Sequence, residues 1–168
     1  MPLARTLFES WQVHDHHLFF GERRMLTILI VDDSKSARMA LESVLSAYGK
    51  CRMVKNGREA VDCVESALKK GRRYDLIMMD IEMPEMDGHT AVKAIRNLME
   101  AHQVPPEKYP RVIMVSSMKD SHNIMKAQFE DPVDIYITKP FQEQTIVEAL
   151  TNLELIDTPW AEDECIKC

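Results

Sequence analysis

The residues able to do chemistry in this 168-residue chain stand at the ends of short apolar runs. Asp32 and Asp33 close the run Thr27-Ile28-Leu29-Ile30-Val31, and Asp80 closes Leu76-Ile77-Met78-Met79. Ser116 follows Arg111-Val112-Ile113-Met114-Val115, and Lys139-Pro140 follows Ile135-Tyr136-Ile137-Thr138. Paired acids with a third acid suit a hard divalent cation, and Mg2+ in particular takes a few carboxylate oxygens plus water and phosphate oxygens. Two carboxylates ~5 Å apart repel by roughly 3 kcal/mol at an effective dielectric of ~20. Three such acids need positive charge to stay ionised, which a cation together with Lys139 can supply. An ionised Asp80 beside the metal can then attack a phosphorus atom, while metal and ammonium neutralise charge on the transferring group. Ser116 can donate a hydrogen bond to the new phosphoryl oxygen.

These residues must be positioned by the runs that precede them. Each run is short and bounded by turn signals, the pattern of a strand buried on both faces of a parallel sheet. Between the runs lie stretches with helical spacing. Ala37, Ala40, Leu41, Val44 and Leu45 mark a first helix ending near Tyr48-Gly49. Cys51–Val54 is a short second strand; Asn56-Gly57 turns the chain, and Ala60, Val61, Val64 and Leu68 mark a second helix ending at Gly71. Met83-Pro84 and Asp87-Gly88 form a turn after Asp80, and a third helix covers about 89–100. A loop with Pro105, Pro106 and Pro110 precedes the fourth strand, Asp120–Phe129 is a helix candidate, and Thr145–Leu153 closes the pattern. Five strands alternating with five helices predict an α/β fold: a doubly wound five-stranded parallel sheet with right-handed crossovers. Such sheets bind ligands at the carboxyl ends of their strands, where all these groups fall.

Bulk composition narrows the function classes. The chain is 45% apolar and 29% charged, ordinary for one globular domain with short appendages. A formal charge of −6 argues against nucleic acid as a partner. No apolar run reaches the ~20 residues that membrane insertion requires. His14, Asp15, His16 and His17 interrupt any signal-peptide core, and cysteines at 51, 63, 165 and 168 do not form a secreted framework. A cytoplasmic location follows as the expectation.

Taken singly, each residue has a plainer reading. Asp33 or Ser34 reads best as a helix N-cap, Ser116 as a turn residue, and Lys139 as a solvated lysine before a proline. Their coincidence at the ends of four strands on one edge changes the odds.

The segment 25–155 resembles the receiver domain of a two-component response regulator, on Asp32-Asp33, Asp80, Met83-Pro84-Glu85-Met86-Asp87-Gly88, Ser116, Tyr136 and Lys139-Pro140-Phe141. The resemblance implies the flavodoxin-like strand order 2-1-3-4-5, for which a chemotaxis receiver is a known example. It implies Asp80 as phosphoacceptor, Asp33 as a direct Mg2+ ligand, Asp32 orienting metal-bound water, and the Glu82 backbone carbonyl completing the metal site. Ser116 and Tyr136 correspond to a switch pair, Lys139 precedes a cis peptide bond, and Glu82 and Met118 flank the path of hydrolytic water. The implied partners are a sensor histidine kinase or phosphotransfer protein, and a downstream protein bound by the face of the fourth helix, fifth strand and fifth helix; a homodimer is also compatible. With no output domain visible, a stand-alone receiver in a phosphorelay is expected, a phosphoacceptor signalling protein rather than an enzyme. Two features depart from the family: Asp131-Pro132-Val133 where Gly-Ala is common, and a long loop around 101–110.

Three rivals differ in testable features. An aspartyl-nucleophile phosphatase would resemble Asp-x-Asp-Gly-Thr after its first strand. A flavin module of the same fold would need a hydroxyl- and glycine-rich phosphate loop where Asp32-Asp33-Ser34-Lys35 stands. A degenerate receiver would lack part of the acid set. Outside the resemblance, residues 1–24 carry Leu3, Leu7, Phe8 and Trp11 at helical spacing, a segment packed on its own domain or a docking arm, unless translation starts at Met25. The tail 156–168 is short and acidic; His14, His16, Cys165 and Cys168 would make a zinc set if the termini met, but solvated histidines and a reduced, frayed tail are the favoured reading.

Overall fold

A computed structural model describes residues 24–117 and 133–157. The helices expected at Ala4–Val13 and Asp120–Phe129, Met118, and the terminal histidine and cysteine set lie outside the described residues. The elements in order are β1 (Leu26–Val31), α1 (Lys35–Leu45), β2 (Gly49–Val54), α2 (Gly57–Lys69), β3 (Leu76–Asp80), α3 (Gly88–Ala101), a 3-10 turn (Pro106–Lys108), β4 (Arg111–Ser117), β5 (Ile135–Lys139) and α4 (Glu143–Asn152). The strands form one parallel sheet in the order β2-β1-β3-β4-β5, as the resemblance implied.

The unbroken apolar runs are explained by two cores. Successive strand side chains point to opposite faces. Leu29, Val31, Ile77, Met79, Val112 and Met114 enter the core under α2 and α3, while Ile28, Ile30, Leu76, Met78, Ile113 and Val115 enter the core under α1 and α4. Every residue of β3 is buried. Each fully buried Leu, Ile or Met contributes about 1.5–3 kcal/mol, so the central strands are the least movable part of the molecule and a firm base for the groups at their ends.

Several boundaries differ from the sequence reading. The first helix ends at Leu45 with Ser46 as its C-cap, and Gly49 begins β2 instead of closing the helix. A Cβ at Gly49 would collide with the Leu26 carbonyl across the β1–β2 pair, which explains the glycine. Asn56-Gly57 and Asp87-Gly88 are helix starts, not free turns: Asn56 Oδ1 accepts from Glu59 N at 2.8 Å, and Asp87 Oδ1 from Thr90 N at 2.8 Å. The long loop after α3 is folded onto the protein. Val104 and Tyr109 pack against the core under α3, and the Arg96 guanidinium lies 5.2 Å from the Tyr109 ring centroid.

Candidate functional site

The carboxyl edge of the sheet brings together most of the residues singled out in the sequence. Asp32 directly follows β1, with its side chain fully buried. Its Oδ1 accepts from Ser34 N at 2.8 Å and its Oδ2 from Lys139 Nζ at 2.7 Å. Asp33 next to it is exposed. Ser34 is the N-cap of α1, which leaves Asp33 free of that duty. Asp80 ends β3, buried, and its Oδ1 accepts from the same Lys139 Nζ at 2.7 Å. One ammonium thus bridges two carboxylates that are 48 residues apart in the chain and comes from the far side of β4. The Lys139–Pro140 peptide is cis, as the resemblance implied.

Asp32, Asp33 and Asp80 each offer an oxygen within 4.8 Å of the others. Among the described residues, three carboxylates and one ammonium leave two negative charges uncompensated in a partly dry pocket. Burial, with repulsion from Asp32 and Asp33, pushes the Asp80 carboxyl up to about 6 even though the Lys139 ammonium opposes the shift. Burial alone would lower Lys139, but Asp32 and Asp80 outweigh it and hold the ammonium above its ordinary value. The donor set is all hard oxygen, with no imidazole or thiolate, which fits Mg2+ and not zinc.

Ser116 stands on β4 one residue beyond Val115, the register partner of Asp80. Its hydroxyl is buried and, among the described residues, has no hydrogen-bond partner. A buried hydroxyl without a partner costs about 1–3 kcal/mol, and an incoming acceptor oxygen would recover it. Tyr136 lies on β5 opposite Met114, half-buried, with its ring against the core under α2 and α3. Glu82 is exposed in the loop after β3.

Arg38, which the sequence reading passed over, and Gly88 and Asn56, which it read only as turn residues, make contacts around the site. Arg38 Nη1 donates to the carbonyls of Asp32 at 2.6 Å and Asp33 at 3.1 Å, fixing the backbone that carries both acids. Gly88 packs its α-carbon against the Asp80 carbonyl so closely that a Cβ would overlap it. Asn56, from the other side of the pocket rim, reaches Glu85. None has a signal in local periodicity; each acts through a contact that exists only once the chain has folded.

With this geometry in hand, comparison with known proteins is decisive. The family model described as the response regulator receiver domain matches residues 28–151. The chain belongs to the response regulator receiver family. Its receiver segment is similar to the chemotaxis protein CheY of Bacillus subtilis, with 36% identity over 130 residues that cover 74% of this chain and 94% of that protein. It is also similar to the protein-glutamate methylesterase/protein-glutamine glutaminase of Archaeoglobus fulgidus, 40% identical over 119 residues, which are 68% of this chain but only 30% of that longer protein. Among solved structures, the Vibrio cholerae chemotaxis protein CheY4 superposes with a TM-score of 0.62 at 27% identity, covering 76% of this chain and 98% of that one. The receiver is thus chemotaxis-like in fold and sequence, a phosphoacceptor signalling domain of two-component systems. No helix among the described residues is long and apolar enough to cross a membrane.

Proposed function

We propose that this chain acts as a cytoplasmic response regulator receiver. Asp80 takes a phosphoryl group from a phosphohistidine of a sensor kinase or phosphotransfer protein, and the resulting change alters which proteins the receiver binds. The observation that carries this reading is the pairing of Asp80 and Asp32 on one Lys139 ammonium at 2.7 Å each, with the unpartnered Ser116 hydroxyl on the adjoining strand. At neutral pH a carboxyl with a pKa near 6 is ionised, and burial leaves it less solvated than an ordinary surface acid.

An Asp80 oxygen attacks phosphorus, the bond from phosphorus to the donor nitrogen breaks, and the imidazole leaves with that electron pair. Lys139 stays beside the acceptor and offsets charge on the transferred group. Asp33 and Asp80, with the Glu82 carbonyl, would hold Mg2+, and Asp32 would orient its water; the ion supplies Lewis-acid neutralisation of the phosphoryl oxygens. Ser116 turns toward the new phosphoryl oxygen, and Tyr136 moves into the space it vacates. A two-position pair of this kind is a bistable element that a local charge can bias. The face of β5 and α4 is the proposed readout, for a downstream protein or a second copy. Glu82 and Met118 would set how long the aspartyl phosphate survives, because a thioether cannot orient attacking water well.

The test is labelling with a small acyl phosphate and magnesium, read by intact-mass spectrometry. One added phosphate is expected on the wild type and none on Asp80→Asn. Undiminished labelling of the variant would sink the assignment.

A further inference from the structure

Capping a helix takes only an acceptor. In this chain Ser34 caps α1 and Asp87 caps α3, and each does so with an oxygen alone. At the start of α2 the residue is Asn56, which is 2% exposed and uses both halves of its amide. Oδ1 accepts from Glu59 N at 2.8 Å, while Nδ2 donates to Glu85 Oε1 at 3.0 Å. The cap explains the oxygen. The nitrogen is explained only by Glu85, 29 residues away in the loop that follows Asp80.

That loop is held at several points. Glu85 has φ of 68°, a left-handed conformation uncommon for a residue with a Cβ, and so needs support from its surroundings. Next to it, Gly57 N donates to Met86 O at 3.2 Å, and a Cβ at Gly57 would lie 2.6 Å from that carbonyl. At the loop's end Gly88 N donates to Ile81 O at 2.9 Å. The α2 N-terminus and the loop 81–87 are therefore docked backbone to backbone, and the Asn56–Glu85 contact is the side-chain bond that joins them. Glu82 lies in the same loop.

We propose that Asn56 is a positioning residue for the metal site: through Glu85 it fixes the loop whose Glu82 carbonyl completes the Mg2+ shell. This rests on the metal-binding reading given under the proposed function. The bond between a neutral amide and a carboxylate is charge-assisted, and its loss lets the left-handed Glu85 relax and the loop drift.

The experiment is isothermal titration of Mg2+ into wild type, Asn56→Ser, Asn56→Asp, Glu85→Gln and the double variant N56D/E85Q. Asn56→Ser keeps a capping oxygen and loses the donor, so it is expected to fold and to bind Mg2+ about tenfold more weakly. Asn56→Asp keeps the cap but sets a carboxylate against Glu85, and it is expected to weaken binding at least as much. A simple electrostatic effect has the opposite sign, because an added acid near a cation site raises affinity. Glu85→Gln retains an acceptor for the Asn56 amide and is expected near wild type. N56D/E85Q reverses the polarity of the bond and is expected to restore affinity. In metal-free protein, the Gly88 amide should exchange faster in Asn56→Ser than in wild type. Unchanged Mg2+ affinity in Asn56→Ser and Asn56→Asp, or no recovery in the double variant, overturns the role of Asn56. Wild-type binding that survives Asp33→Ala overturns the metal-site reading itself, and the inference with it.

Discussion

Both edges of the sheet carry aspartates, and the contrast between them separates structure from chemistry. At the amino edge, Asp75 Oδ2 accepts from Thr27 N at 2.8 Å, and Asp134 Oδ2 accepts from Val112 N at 2.7 Å. Asp75 also pairs with Arg24, and Asp134 with Arg111 at 3.0 Å and Arg96 at 4.0 Å. Each of these carboxylates has a backbone donor and at least one guanidinium, so its charge is satisfied and it ties neighbouring strands together. At the carboxyl edge, among the described residues, three acids meet one lysine, a hydroxyl has no partner, and the central carboxyl is pushed up to about 6. The same residue type is a strand clamp where donors outnumber it and is left short of donors at the carboxyl edge, where we propose Asp80 as the nucleophile. Charge left over after folding is the mark of the functional edge.

The comparison can be broken most directly at Asp80. Its folded carboxyl titrates near 6 against an ordinary 3.8, so the folded state holds the proton more tightly than the unfolded chain. The sign follows: in metal-free protein the Asp80 contribution to stability falls as pH rises from about 4 to about 6, and its deficit, up to about 3 kcal/mol, persists above that window. Asp80→Asn is expected to remove this contribution and to be the more stable protein at pH 7 in EDTA, with the advantage gone near pH 4. Urea denaturation of both proteins across that range measures it. A variant that is less stable at pH 7 would mean that the carboxylate is satisfied, like those at the amino edge.

Removing Asp33 should weaken Mg2+ binding by about 2 kcal/mol even at the dielectric of water, roughly 30-fold, since a charge pair with a dication is lost. Ser34→Ala, which removes only a cap oxygen, should leave the affinity close to wild type. Calorimetric titration distinguishes them, and equal affinities would remove Asp33 from the metal site.

At the other edge Asp134→Ala should destabilise the fold by about 1 kcal/mol, because the Val112 amide and the two arginines lose a shared acceptor. Acyl-phosphate labelling of Asp80 should be unaffected in the folded variant. Loss of labelling without loss of stability would contradict the division between the edges. The smallest effect is expected at Met118, where Gln in place of the thioether should shorten the aspartyl-phosphate lifetime by a few-fold, roughly the weight of one oriented water. Decay of radiolabel follows it, and an unchanged rate would take Met118 out of lifetime control.

Much of this was legible in one dimension because strand ends are. A run such as Leu76-Ile77-Met78-Met79 has no partly solvated face, so it reads as a doubly covered strand, and whatever follows it must emerge at one edge. That logic located Asp32, Asp33, Asp80, Ser116 and Lys139 on a common edge before any contact was known. It failed at glycines. Asn56-Gly57 and Asp87-Gly88 have the composition of turns, yet both open helices, because the glycine is required by close backbone approach to Met86 and Asp80 and not by a turn. Gly49 was misread as a helix stop for the same reason.

The sequence by itself determined the fold class, the edge on which chemistry is possible and the residue types present there, since period, turn chemistry and charge are properties of short segments. Only the tertiary structure decided how those groups meet: that one Lys139 serves Asp32 and Asp80 together, that the Ser116 hydroxyl is left without a partner among the described residues, that Arg38 braces the paired acids, and that Asn56 joins α2 to the loop after β3. These are contacts between residues tens of positions apart, and their distances depend on sheet register and on packing against both cores, which no local pattern encodes.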